Sequence, residues 1–227
     1  MQLDGLFIDM YGTLTTGDRA AVESACAEII ADTKLPLSAR ELSVIWGERF
    51  FEAMNSANGP AFATLFEIEA RTLVETMTAF GIDVVPDRYV KGLVDYWRDP
   101  PLQPEVREFL ARCPTPVCIV SNADRADIET AVARLGLRVA GLLTSEDARS
   151  YKPDRGIFEA ALRQTGWRGG AVLHVGDSLH SDVGGALAAG IRSVWINRAH
   201  RIHDIGNHEP DFEFADLKGL LALVEGN

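Results

Sequence analysis

The chain has 227 residues, of which 47% are hydrophobic and 24% are charged, and its formal net charge is −11. This length allows one α/β core with a smaller insert and excludes three domains. The acidic balance, without a cluster of lysine and arginine, excludes polyanionic partners. We therefore expect neither nucleic acid nor an anionic membrane surface to bind.

Apolar runs and cysteines indicate a cytoplasmic protein. No apolar run reaches the ~18 residues that a membrane span requires, and the N-terminus lacks the basic start and apolar stretch of a signal peptide. Cys26, Cys113 and Cys118 form no CxxC pair, which is typical of reduced core thiols.

The first predicted element is a short buried strand over residues 6–8, which ends at Asp9 before a turn at Gly12. Residues 16–97 have a different pattern, with no strand-like alternation. Helical periodicity there predicts helices at 20–34, 39–55, 61–81 and 87–97. Ser38 and Asp87 are the expected N-caps, and Gly81 is the expected end of the third helix.

The remaining chain alternates strands with helices. Strands are predicted at 117–120, 142–144, 171–175, 193–196 and 212–214, and helices at 126–135, 154–164, 182–189 and 217–224. This rhythm predicts an α/β fold with a parallel sheet and helices on both of its faces.

Polar residues follow the predicted strands. Asp9 follows the first strand, Ser121 and Asn122 follow the second, and Asp177 follows the strand at 171–175. Lys152 comes after the third strand, and Asp182 lies five residues beyond Asp177. Because the carboxyl ends of parallel strands meet at one edge of a sheet, we expect these side chains to form one site.

Three converging carboxylates predict a metal site. They repel one another unless a cation lies between them, and Mg²⁺ accepts carboxylate and phosphate oxygens. Asp9 could then attack phosphorus and form an acyl phosphate. Lys152 would supply a positive charge for the nucleophile and the transferring group, and Ser121 and the N–H groups of the Gly12 turn could donate hydrogen bonds to that group.

Four segments resemble, in order, the four motifs of the haloacid dehalogenase-like superfamily. They are residues 9–14 (DMYGTL), 120–122 (VSN), 152–154 (KPD) and 176–182 (GDSLHSD). The resemblance implies a Rossmann-like core over 1–15 and 98–227 and a helical cap over 16–97. It also implies that Asp9 is a nucleophile that forms a covalent intermediate.

The resemblance further implies a set of ligands. Mg²⁺ would be held by Asp9, the carbonyl oxygen of Tyr11 and Asp177, with support from Asp182. Lys152 and Ser121 would join Asp9 in catalysis. The residues expected to contact a small anionic substrate are Tyr11, Gly12, Thr13, Asn122 and, from the cap, Arg49, because dehalogenases use an arginine from that region.

The motifs favour two different reactions. Phosphatases of the superfamily carry a second Asp where this chain has Tyr11, whereas tyrosine there resembles the 2-haloacid dehalogenases, whose halide leaves without a proton. The fourth motif is phosphatase-like, because metal-independent dehalogenases have Ser and Asn where this chain has residues 176–178. Their third motif also has a Tyr where this chain has Phe158.

We weigh these signals by charge. Asp177 beside Asp9 favours a metal, and a metal favours a phosphorylated substrate. The sequence therefore predicts a Mg²⁺-dependent phosphatase for a small phosphorylated metabolite, with His180 as a candidate for the proton transfer. The alternatives are a metal-independent 2-haloacid dehalogenase with an ester on Asp9, and a non-catalytic protein that binds metal or phosphate.

Overall fold

The computed structural model describes residues 2–200 and 208–226. The strands found there are β1 (Gly5–Ile8), β2 (Val117–Ser121), β3 (Gly141–Thr144), β4 (Val172–Gly176), β5 (Arg192–Ile196) and β6 (Phe212–Phe214). All are parallel to their neighbours, in the order β3-β2-β1-β4-β5-β6. The predicted parallel α/β sheet is confirmed.

Helices occupy most of the chain between the strands. They are α1 (Asp18–Thr33), α2 (Ala39–Ser56), α3 (Leu65–Thr78), α4 (Pro86–Arg98), α5 (Val106–Arg112), α6 (Arg125–Leu135), α7 (Ser145–Ala148), α8 (Arg155–Thr165), α9 (Gly185–Ala188) and α10 (Leu217–Glu225). The short helices α5 and α7 have no counterpart among the predicted elements. None of the helices within the described ranges combines the length and the apolarity that a membrane crossing needs.

The sheet has an apolar layer on each face. Side chains of β1 alternate between them: Leu6 and Ile8 join one cluster of buried residues, and Phe7 joins the other. Each of the three is fully buried. A strand covered on both sides reads as a continuous apolar run, which explains why β1 shows no polar alternation in the sequence.

The four helices α1 to α4 pack around their own apolar cluster, which includes Leu42, Trp46 and Leu93. Ser38 begins α2 with a capping box, as predicted. The predicted N-cap at Asp87 is wrong, because α4 already begins at Pro86, whose fixed φ suits the first helical position.

The part of the chain that contains α1 to α4, called here the helical segment, leaves the sheet and rejoins it at adjacent points. Thr15 and Leu102 form an antiparallel bridge, and the N–H of Thr16 donates to the carbonyl oxygen of Pro101 at 2.9 Å. Helices α1 to α4 therefore stand above the carboxyl edge of β1. The division into a core and a cap at residues 16 and 97 stays a prediction.

Candidate active site

Asp9 lies at the centre of the carboxyl edge of the sheet. It follows β1, whose neighbours are β2 and β4, and its own N–H donates to the carbonyl oxygen of Val175 at 2.9 Å. Its side chain is buried. The hydroxyl of Ser121, at the end of β2, donates to Asp9 Oδ1 at 3.1 Å. Strand order therefore accounts for this pair of residues.

Lys152 joins two of the carboxylates. Its Nζ lies 2.7 Å from Asp9 Oδ1 and 2.7 Å from Asp182 Oδ1, and only 2% of the lysine is exposed. Asn122 fixes the backbone of Lys152: its Oδ1 accepts from the lysine N–H at 2.7 Å, and its Nδ2 donates to the lysine carbonyl at 3.0 Å. The Asn122 amide, predicted to contact substrate, thus positions Lys152.

Charge pairing determines the ionisation of this buried group. Burial raises the pKa of Asp9, and the ammonium of Lys152 only partly offsets that effect. Burial also acts to raise the pKa of Asp182, but Lys152 and His174 outweigh it and hold that pKa below its usual range. Burial acts to lower the pKa of Lys152, but the two carboxylates raise it to about 12. The lysine thus relieves the repulsion that we expected among the carboxylates.

The Asp182 carboxylate is held by a residue of β4 and by the backbone just after this strand. His174 Nε2 lies 2.9 Å from Asp182 Oδ1, and the N–H of Ser178 donates to Oδ2 at 3.0 Å. A Cβ at Gly176 would lie 2.0 Å from the Asp182 carboxyl carbon, so no larger residue fits there. His174 was absent from the sequence predictions, because a histidine inside an apolar strand normally indicates core packing.

Asp177 approaches Asp9 from β4. The Thr13 hydroxyl lies 3.4 Å from Asp9 Oδ2 and 3.4 Å from Asp177 Oδ1. Gly12 has a φ of +90°, and a Cβ there would lie 2.6 Å from Asp177 Oδ1. One oxygen from each of Asp9, Asp177 and Asp182 lies within 4.8 Å of the others, a set that could hold a metal ion. The predicted acidic cluster is therefore present.

Tyr11 is oriented by the helical segment. Its hydroxyl donates to the carbonyl oxygen of Trp97, at the end of α4, at 2.8 Å. Burial raises the pKa of this phenol above its ordinary value, so Tyr11 remains neutral at neutral pH and cannot serve as a base. His180, the candidate for proton transfer, is exposed and does not line the cavity.

The carboxylates open into a cavity of about 510 Å³ between the sheet edge and the helical segment. Arg49 is exposed and is not among the lining residues, so the structure does not bring it together with the other predicted site residues. At 3.6 residues per turn, Trp46, Gly47 and Phe50 occupy the cavity face of α2 instead. Among the described residues, the arginine that lines this cavity is Arg19, on α1.

The fold and these residues together define an α/β protein with a charged cavity at the carboxyl edge of its sheet. The model of the haloacid dehalogenase-like hydrolases matches residues 3–190, which is most of the chain. The chain therefore belongs to the haloacid dehalogenase-like hydrolases, as the motifs predicted.

Similarity to individual proteins is uneven along the chain. An (S)-2-haloacid dehalogenase of Pseudomonas sp. strain YL is 28% identical over 98% of this chain and 95% of its own length. A phosphoserine phosphatase of Thermus thermophilus is 32% identical over only 52% of this chain. The structure of L-2-haloacid dehalogenase from Xanthobacter autotrophicus shares the fold, with a TM-score of 0.80, 20% identity and 99% coverage of both chains.

These comparisons overturn one prediction. The expected Mg²⁺-dependent phosphatase is wrong, because the dehalogenases match nearly the whole chain whereas the phosphatases match part of it. A small substrate remains the expectation, but its phosphorylation has no support. The dehalogenase-like first motif at Tyr11 was thus a better guide than the acidic fourth motif.

Proposed function

We propose that this protein is a 2-haloacid dehalogenase that forms an ester on Asp9. The observation that carries the proposal is the full-length similarity to (S)-2-haloacid dehalogenases. The site supports it in two ways. Asp9 is a buried carboxylate beside an ammonium. A phosphatase needs an acid at position 11 to protonate its alkoxide leaving group, but this chain has Tyr11, whose hydroxyl already donates to the carbonyl oxygen of Trp97; a halide needs no such proton.

The proposed reaction has two steps. An oxygen of Asp9 attacks C2 of the substrate, the carbon–halogen bond breaks, and halide leaves with the bonding electrons. Water then attacks the ester carbonyl at Asp9 Cγ; its OH stays on Cγ and its proton goes to the departing C2 oxygen. Asp9 finally loses the acid proton. One displacement at C2 inverts its configuration, so (S)-2-chloropropionate yields (R)-lactate.

The predicted residues take specific roles in this proposal. Lys152 and Ser121 hold Asp9 Oδ1, whereas the contact of Oδ2 with the Thr13 hydroxyl is longer, at 3.4 Å, which favours Oδ2 as the attacking oxygen. Arg19, which lines the cavity, is the candidate to bind the substrate carboxylate. The N–H groups of the turn at Gly12 and Thr13 are the candidates to stabilise the oxyanion of ester hydrolysis.

The acidic cluster could accept a divalent ion such as Mg²⁺ through Asp9 and Asp177. In the proposed reaction the ion is not required. Lys152 already supplies positive charge beside Asp9, and a halide leaves without a Lewis acid. Halide release should therefore be equal in a chelator and in added Mg²⁺.

A single-turnover experiment in H₂¹⁸O tests the proposal. With (S)-2-chloropropionate we expect chloride release, (R)-lactate without the label, and one ¹⁸O in the peptide that contains Asp9. Asp9→Asn should release no halide, whereas Asp83→Asn, which changes an exposed aspartate of the helical segment, should behave as the parent protein. Label in lactate instead of the peptide would exclude the ester and sink the proposal.

A further inference from the structure

Glu69 is a carboxyl group in an otherwise apolar wall of the cavity. It lies on α3, is 8% exposed, and lines the cavity one turn after Leu65. Trp46, Phe50 and Met54 of α2 line the same region. Across the described residues, no side chain or backbone group forms a hydrogen bond or ion pair with the Glu69 carboxyl.

Such a group costs stability in the absence of ligand. The Glu69 oxygens are not among the fully buried atoms that lack a partner, so the cavity reaches them, but a carboxyl that is largely removed from water and unpaired still carries part of its desolvation penalty. Burial raises the pKa of Glu69 to about 8, so it keeps its proton at neutral pH. A leucine or methionine would fill this wall without that cost. A carboxyl group aimed into a binding cavity is therefore better explained by what binds there.

Glu69 belongs to the helical wall of the cavity, on α3, whereas Asp9 belongs to the sheet edge, where it follows β1. In a 2-haloacid the carboxylate is bonded directly to C2, so it stays beside Asp9. The part of a substrate that reaches Glu69 is the far end of the C2 substituent.

The volume of the cavity and the charges of its lining residues indicate the chemistry of that substituent. The cavity of about 510 Å³ is in the range of sites for ligands much larger than 2-chloropropionate. Acidic residues outnumber basic ones in the lining, which favours a cationic end group. Apart from Glu69, which keeps its proton at neutral pH, the charged residues of the described lining are Asp9, Asp18, Asp177 and Asp182 against Arg19 and Lys152.

We propose that Glu69 is a specificity-determining residue that accepts a hydrogen bond from an amino group at the far end of the C2 substituent. The substrate class is then 2-haloacids with an apolar chain that ends in an amine. This inference rests on the proposed function. The apolar chain of the substrate contacts Trp46, Phe50, Met54 and Leu65, and its amino group donates a hydrogen bond to Glu69.

The test compares 6-amino-2-chlorohexanoate with 2-chlorohexanoate by halide release. We expect kcat/KM to favour the amine by about tenfold or more, the usual effect of a hydrogen bond to a charged group. Glu69→Gln should remove most of that preference, and Glu69→Leu should reverse it. Glu75→Gln, on the exposed side of α3, is the matched control and should keep it. Thermal unfolding checks that each variant is folded.

The outcomes separate this inference from the proposed function. Turnover of both substrates without a preference for the amine, or a preference unchanged in Glu69→Gln, would overturn the role of Glu69 alone. No halide from these substrates or from 2-chloropropionate would overturn the proposed function. In that case calorimetric titration with 6-aminohexanoate tests the amine contact alone: binding that Glu69→Gln abolishes supports this contact, and equal binding or none refutes it.

Discussion

At the scale of single residues, the ammonium of Lys152 controls how readily Asp9 ionises. Asp9 must be deprotonated to attack C2, and burial raises its pKa. Halide release should therefore fall, as the pH is lowered, at a value above the ~3.9 of an ordinary Asp. Lys152→Met removes the charge that opposes the effect of burial. We expect this acid limb of kcat/KM to move to higher pH, with a loss of turnover at pH 7.

The control for that measurement is Lys91→Met, which removes an exposed lysine that pairs with Asp95 on α4. Its pH profile should match that of the parent protein. An acid limb that stays in place in Lys152→Met would show that the lysine does not control the ionisation of Asp9. The assignment of the attacking group would then need to change.

The burial of Glu69 also leads to a prediction about how the free energy of unfolding depends on pH. Its pKa is raised by burial to about 8 from 4.5, so the folded protein binds a proton that the unfolded chain releases. That contribution to the free energy of unfolding is fully present below about pH 4.5 and is lost as pH rises towards 8. The limiting slope is about 1.4 kcal/mol per pH unit. Glu69→Gln should flatten the pH dependence of urea unfolding over this window; equal slopes in both proteins would contradict the burial of an ionisable Glu69.

At the scale of elements, the start of α3 depends on a residue between β2 and α6. Asp124, which precedes α6, accepts hydrogen bonds from the N–H groups of Leu65 at 2.7 Å and Phe66 at 3.0 Å. These are N–H groups that a helix cannot satisfy by itself. Asp124 thereby ties the wall that contains Leu65 and Glu69 to the edge of β2.

Asp124→Ala should lower stability by about 1–2 kcal/mol and speed amide exchange at Leu65 and Phe66. Because Leu65 lines the cavity, KM for 2-chlorohexanoate should also rise. Asp216→Ala removes the side-chain cap of α10, which is absent from the cavity lining. It should cost similar stability without changing KM. If both variants raise KM equally, the effect is general destabilisation and the specific tie to α3 is refuted.

The same elements show what could be predicted from the sequence. Strand ends are local features, so the order of Asp9, Ser121 and Asp177 along the chain was enough to predict that they meet. Capping is also local, which is why Ser38 was identified. The face of a helix that points into a cavity depends on how the helix packs against the rest of the protein. Each step of one residue along the helix turns the side-chain direction by about 100°. Arg49 was therefore chosen where Gly47 and Phe50 line the site.

The other site features that were not predicted from the sequence also depend on tertiary structure. Whether a lysine reaches one carboxylate or two is a matter of ångströms, so the bridge from Lys152 to both Asp9 and Asp182 could not be predicted from motif order. That omission led to the phosphatase prediction, because the repulsion among carboxylates was assigned to a metal. His174 and Glu69 look like ordinary core and surface positions in the sequence, and only their burial distinguishes them.

At the scale of the whole molecule, the net charge of −11 opposes the approach of an anionic substrate. A negative potential lowers the local concentration of a 2-haloacid at the cavity mouth. Salt screens that potential over a Debye length of about 10 Å at 0.1 M. We expect kcat/KM for (S)-2-chloropropionate to rise as ionic strength increases from about 10 to 200 mM, while kcat changes little.

A neutral analogue separates this effect from other actions of salt. (S)-2-Chloropropionamide has the same reacting carbon without the charge, so its kcat/KM should not change with ionic strength. For 6-amino-2-chlorohexanoate, whose ammonium offsets its carboxylate, we expect the smallest salt dependence of the charged substrates. A fall in kcat/KM for the anion with added salt would mean that the local field of Arg19 and Lys152 outweighs the charge of the whole molecule at the cavity mouth.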